Sequence, residues 1–189
     1  VTMYSDTDDR GYAENYESAL AGATSLTKVT FADGMVTIPS RAVQNCTTVT
    51  EVIIPDTVTT IDSHAFSGCS GFNEIVIPLN LIKINDYAFN GCTGINEVIF
   101  PSTVTIVGRS AFEGCTSLTD IELNEGITKI DMYAFKGCAN LSDLTIPESV
   151  TYIGARFIQG TAIEEINIPK NVVTMYSDTD DRGYAENYE

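Results

Sequence analysis

Apolar residues recur along this chain in columns rather than in blocks. Val52, Ile75, Val98, Ile121 and Leu144 form one column, and Ile54, Ile77, Phe100, Leu123 and Ile146 form a second, two residues on. Ile61, Ile84, Val107, Ile130 and Ile153 form a third. Every column advances by 23 residues. Within each unit the apolar-x-apolar alternation has the period of a strand, so segments such as Val52–Ile54 are predicted strands. Proline follows at Pro55, Pro78, Pro101, Pro147 and Pro169, with Asn124 as the single interruption. Lacking an N–H, proline ends the strand there. A Val-Thr-x-Ile stretch comes next. An Ala-Phe-x-Gly-Cys corner closes the unit at Ala65-Phe66, Ala88-Phe89, Ala111-Phe112 and Ala134-Phe135. That corner is too short for a helix and reads as a 3₁₀ or helical turn.

One such unit cannot bury its apolar side alone, but stacked units bury a continuous core. The fold class is therefore a repeat solenoid of 23-residue coils, with short parallel strands and turn or 3₁₀ corners, running as one body over residues 1–189. The cysteines share the period: Cys46, Cys69, Cys92, Cys115 and Cys138 stand 23 residues apart. Side chains stacked on one column point the same way, which is poor geometry for disulfides. Buried free thiols are the expectation, and redox or metal chemistry is the alternative.

The run Ile-Pro-x-x-Val-Thr-x-Ile-x-x-x-Ala-Phe-x-Gly-Cys resembles the BspA-like, or Treponema pallidum-type, leucine-rich repeat family. The resemblance covers about residues 19–175 and is clearest between Cys46 and Cys138. It implies a surface or secreted protein, since many members are bacterial or protist adhesins, and it carries over no catalytic residues.

Two departures from the period follow. Met3 occupies the Ile153-type position and Ala23 the cysteine-type position, 20 residues apart where Ile130 and Cys138 are 8 apart. That coil holds 12 extra residues, within about 4–17. Secondly, residues 1–17 and 173–189 are identical, offset by 172. The offset equals seven coils, one carrying the insertion and one a single-residue deletion near Glu164. The insertion thus recurs at 176–189. Identical ends between diverged coils point to a tandem array of 172-residue units, although an artificially duplicated segment would read the same. No polar capping coil is evident at either end, which leaves edges ready for further stacking.

The insertion also carries candidate chemistry. Set against a calcium loop, Asp6, Asp8, Gly11, Glu14 and Glu17 fall at positions 1, 3, 6, 9 and 12, and Tyr12 offers its carbonyl at position 7. Arg10 stands where a fifth-position ligand belongs, with Asp9 beside it as a substitute. The second copy places Asp178, Asp180, Asp181, Tyr184, Glu186 and Glu189 in the same roles. Calcium favours six to eight oxygens, which this spacing supplies; a solvated acidic loop is the alternative reading. Tyr4, Tyr12 and Tyr16 read as packing residues, or as lateral contacts between chains.

Charge narrows the partners. With 26 acidic and 10 basic residues the formal net charge is −16, which disfavours nucleic acid and anionic membrane. No apolar run reaches membrane-spanning length, and no leader is evident, the first residue being Val1. Glu51, Glu74, Glu97, Asp120, Asp143 and Glu165 share one column beside the first strand segment. Next to them Ile53, Val76 and Ile99 give way to Glu122 and Thr145, making an acid-edged, partly apolar strip. That strip is a candidate interaction surface, or simply a solvated face. His64, the sole histidine, shares a column with Tyr87, Ser110, Tyr133 and Arg156 that reads as an exposed corner. No nucleophile with a base and no phosphate loop is recognisable, so an enzyme is not expected.

The sequence therefore predicts an extracellular or cell-surface structural protein. Its units are expected to contact copies of themselves end to end as a filament or stalk, stiffened by Ca2+. An adhesin binding a host or neighbour-cell protein through the strand face is the alternative.

Overall fold

The computed structural model describes Leu20 and residues 23–175 of the chain. Among the described residues eleven short strands are formed: β1 (Lys28–Thr30), β2 (Thr37–Ile38), β3 (Glu51–Ile53), β4 (Thr60–Ile61), β5 (Lys83–Ile84), β6 (Glu97–Ile99), β7 (Ile106–Val107), β8 (Asp120–Glu122), β9 (Lys129–Ile130), β10 (Tyr152–Ile153) and β11 (Thr174–Met175). All pairing is parallel and joins successive coils, as in Ile38↔Ile61, Ile61↔Ile84 and Val107↔Ile130. This is the stacked solenoid that the period demands.

The continuous sheet is not where the alternation placed it. It runs through the Val-Thr-x-Ile stretch, in the order β2-β4-β5-β7-β9-β10-β11. The apolar-x-apolar stretch makes only two isolated pairs, β1-β3 and β6-β8, and pairing lapses at 74–76 and 143–145. The reason lies between coils. Alternation sets which way side chains point, whereas a ladder needs matching backbone on the coils above and below. On the seven-stranded face the isoleucines or valine are 0–1% exposed from Ile38 to Ile153, fixing that backbone against the core. Threonines reinforce it: the hydroxyls of Thr105, Thr128 and Thr151 donate to the carbonyls of Ile82, Thr105 and Thr128 at 3.2–3.3 Å.

The corners are successive turns, and no 3₁₀ or α-helix occurs among the described residues. In one corner Ala65, Ser67 and Cys69 N–H groups bond within the turn, to the carbonyls of Asp62, His64 and Phe66. The intervening His64, Phe66 and Gly68 donate to Asp86, Ala88 and Asn90 of the next coil, at 2.7–3.0 Å. The corner is thus both a turn and a rung, and its backbone polar groups are satisfied without a helix.

That arrangement forces left-handed backbone at two points. Gly68, Gly91, Gly114, Gly137 and Gly160 have φ between 71° and 77°, which glycine adopts without steric cost. Arg41, His64, Tyr87, Ser110, Tyr133 and Arg156 also lie in this region, at φ 52–59°. A non-glycine residue there costs roughly 1–2 kcal/mol. Five of the six N–H groups, those of Arg41, His64, Tyr87, Ser110 and Tyr133, bond to the following coil at 2.8–3.1 Å, which offsets part of it.

Inside, the columns become stacks. Phe66, Phe89, Phe112 and Phe135 are fully buried, with neighbouring centroids 5.2, 5.1 and 5.9 Å apart and interplanar angles of 8–23°. The seventh inner strand begins 22 residues after the sixth, with Ile153 opposite Met175. The missing residue lies between Thr161 and Ile163, where the three-residue step from Cys138 to Leu141 becomes two. Ile163 still packs on the core.

Candidate interaction face

The five cysteines are free and buried. Each thiol is within 2.8–3.3 Å of a carbonyl of the preceding coil: Cys46 to Leu20, Cys69 to Val43, Cys92 to Phe66, Cys115 to Phe89 and Cys138 to Phe112. The S–H donates to a carbonyl that already accepts an N–H within its own corner, as Phe66 accepts from the Cys69 N–H and the Cys92 thiol. Burial raises Cys69 and Cys138 to about 12 and pushes Cys92 and Cys115 well above the ordinary thiol range. These are structural thiols, as the column geometry predicted, and poor nucleophiles.

The corner column containing His64 is a correction. It is half-buried rather than exposed at His64, Tyr87 and Tyr133, fully buried at Ser110, and open only at Arg156. The His64 ring stacks flat on Tyr87, at 4.7 Å and 1°. Burial, then the nearby Arg41 charge, lower the His64 pKa, with Asp86 opposing them. The sequence signal that could have exposed this column is its fixed position four residues before each corner glycine.

The residues of the acid-edged strip follow one another coil upon coil. Glu51, Glu74, Glu97, Asp120, Asp143 and Glu165 are all exposed. Register places Glu97 opposite Asp120 and Ile99 opposite Glu122. Beside them Ile53, Val76 and Ile99 are 43%, 68% and 53% exposed, and Leu79, which the periodicity argument did not single out, is 67% exposed. One basic residue joins the acidic column: Lys28, one coil before Glu51, reaches its carboxylate at 2.7 Å. Among the described residues no cation lies against Glu74, Glu97, Asp120 or Asp143.

Two recesses open on this face where strand pairing lapses. One, of about 270 Å³, lies between Glu74–Leu79 and Glu97–Ile99 and is lined by Val76, Leu79 and Ile99. The other, of about 420 Å³, is lined by Glu97, Asp120, Glu122 and Asp143. The first is mainly apolar and bordered by Glu74 and Glu97, and the second sets four carboxylates beside Ile121, Leu123 and Leu144. Among the described residues no three His, Cys, Asp or Glu side chains converge closely enough to hold a metal ion. The calcium-loop residues Asp6, Asp8, Asp9, Tyr12, Glu14 and Glu17, and their repeats Asp178, Asp180, Asp181, Tyr184, Glu186 and Glu189, lie outside the described residues.

The BspA-type leucine-rich repeat model matches residues 12–86 and 59–179, in six copies. The chain belongs to the BspA-type leucine-rich repeat family. Solved structures agree with this membership. A leucine-rich repeat protein from Bacteroides ovatus is 27% identical, with a TM-score of 0.77 over 84% of this chain and 42% of its own. The T. pallidum leucine-rich repeat protein is 31% identical, with a TM-score of 0.67 over 70% of this chain and 62% of its own. A leucine-rich cell surface protein from Faecalibacterium prausnitzii is 23% identical, with a TM-score of 0.54 over 82% of this chain and 56% of its own, and shares the fold. The chain spans less than two thirds of the length of each of these proteins. No relative among curated proteins matches. BspA-type repeats are a scaffold: their repeated positions build the core and the turns, and the variable positions dress the faces.

Proposed function

We propose that this chain is part of a non-enzymatic cell-surface or extracellular array, in which 172-residue units continue coil upon coil as a filament or stalk. One observation carries the reading. Thr174 and Met175 pair in register with Tyr152 and Ile153, and they belong to the segment whose identical copy begins the chain. The first residues of the repeated segment, Thr174 and Met175, therefore continue the stack in register, and residues 173–189 carry the sequence of residues 1–17. Units built this way join without a break. The surface location draws on the likeness to the F. prausnitzii cell surface protein.

Calcium held by Asp6, Asp8, Glu14 and Glu17, and by their second copies, would stiffen the inserted coil where an acidic loop otherwise repels itself. The mass of the intact natural protein tests the array. Several units are expected, and a protein holding only one 172-residue unit overturns it.

A second reading has its own observation. The exposed apolar strip with its carboxylate edge supports an adhesin that docks a host or neighbour-cell protein on this face. Saturable binding that is lost on changing Val76 and Ile99 to serine supports it. Binding indifferent to those changes removes it.

A further inference from the structure

The acidic face differs along its length, and that difference specifies a partner. Its apolar recess, bearing Val76, Leu79 and Ile99, adjoins its acidic recess, bearing Asp120, Glu122 and Asp143, and Glu97 lines both. The carboxylates are spread over successive coils and do not converge on one point. A single small ion cannot satisfy them together, whereas cationic groups spaced along a chain can. The face already displays such a pairing, where Lys28 sits on the acidic column one coil from Glu51, at 2.7 Å.

Spacing then selects the conformation. Coils stack at about 4.8 Å, so the coil of Asp120 lies one and a half coils, about 7 Å, beyond the midpoint between the coils of Val76 and Ile99. Residues i and i+2 of an extended chain, which share one side, are separated by about 6.6 Å. A strand crossing the coils along the stacking direction therefore places residue i in the apolar recess and residue i+2 in the acidic one. Residue i+4 falls near Asp143 and Glu165 of the same column.

We infer that this face docks an extended segment of a partner protein with the pattern apolar-x-basic-x-basic, the apolar side chain seated against Val76, Leu79 and Ile99 and the basic ones against Glu97, Asp120, Glu122 and Asp143. The inference rests on the second reading above, that the face binds a protein, and adds the chemistry of what it binds.

Fluorescence anisotropy with a labelled peptide of two Leu-Ser-Lys-Ser-Lys units tests it, using the whole chain. Companion peptides replace leucine by serine, lysine by serine, or lysine by glutamate. Leu79→Ser and the pair Asp120→Asn/Asp143→Asn alter exposed side chains, and circular dichroism checks that both variants stay folded. The parent peptide is expected to bind saturably. Leu79→Ser and the serine-for-leucine peptide should each weaken it about tenfold. Each lost carboxylate should weaken it about two- to fivefold, and added salt should weaken it further. Equal binding of the serine-for-leucine peptide, with no effect of Leu79→Ser, overturns the inference, because general charge attraction then suffices. A neutral or acidic peptide that binds and is lost in Leu79→Ser overturns the cationic class but leaves the face as a docking surface. If no peptide of any class binds at millimolar concentration, and the same variants leave binding to every protein partner unchanged, both the inference and the second reading fall.

Discussion

Phe112 stands at the centre of the ring stack, and truncating it tests whether that stack holds the coils together. Its ring lies 5.1 Å from Phe89 and 5.9 Å from Phe135, both nearly parallel, and 5.8 Å from Phe100, edge-on at 90°. None of its surface is exposed. Phe112→Ala leaves a cavity and ends three ring contacts, at a cost of about 4 kcal/mol. Phe112→Leu keeps most of the aliphatic bulk and loses chiefly the ring pairs, so about 1.5 kcal/mol is expected. Phe157→Ala, on the same column near the last described coil, should cost about 2 kcal/mol, because Phe157 is 7% exposed and stacks on no described ring. Urea unfolding followed by circular dichroism reads these losses. With a slope of about 2 kcal/mol per molar urea, Phe112→Ala moves the midpoint down by about 2 M. Each coil is stabilised mainly by its immediate neighbours, so this central defect should also split the transition into two, while Phe157→Ala frays one end. A loss below about 1.5 kcal/mol for Phe112→Ala, or equal losses for the leucine and alanine variants, refutes the view that ring stacking couples the coils.

Other predictions concern the thiols, the corner and the insertion. Cys69 and Cys138 have folded pKa values raised to about 12 from 9.0. The unfolded chain therefore loses these protons first, and stability is fully present below pH 9 and falls as pH rises through 12. Alkaline unfolding of the natural chain should fall with pH more steeply than that of Cys69→Ala/Cys138→Ala, by about 1.4 kcal/mol per pH unit for each thiol. The His64 pKa is depressed, so its contribution is present above its ordinary value of 6.5 and lost as pH falls; His64→Gln should flatten the acid limb of a melting-temperature profile. Ser110 is 1% exposed and its hydroxyl has no hydrogen-bond partner among the described residues. Ser110→Ala should stabilise the protein by about 1 kcal/mol in the same urea assay, and a loss would show that the hydroxyl is satisfied. Calorimetry on a protein of two 172-residue units should show saturable calcium binding that Asp178→Asn/Asp180→Asn weakens. No heat at millimolar calcium would remove the metal reading.

The sequence alone determined the coil, its period and most of the core columns, though not the one formed by Val49, Phe72, Ile95, Leu118 and Leu141. That is because a stacked repeat must place the same kind of side chain at the same point of each turn, so Cys69, Phe66 and Ile61 announce their burial by recurrence. It also placed the thiols on one column, where pairing is unfavourable, and set Glu97 and Asp120 on a shared face. Tertiary structure decided which segment becomes the continuous sheet. Glu74-Ile75-Val76 is chemically like Glu51-Val52-Ile53, yet only the latter pairs, since a ladder depends on how the adjoining coils sit and not on the segment itself. The same holds for the left-handed corner at Tyr87 and Ser110. Intrinsic preference disfavours the left-handed backbone found there, and bonds from each corner N–H to the next coil offset part of that cost. The recesses that divide the acidic face into an apolar and a charged part arise from those lapses in pairing. They belong to no residue pattern, because they are spaces between coils, and only the stacking of one coil on another creates them.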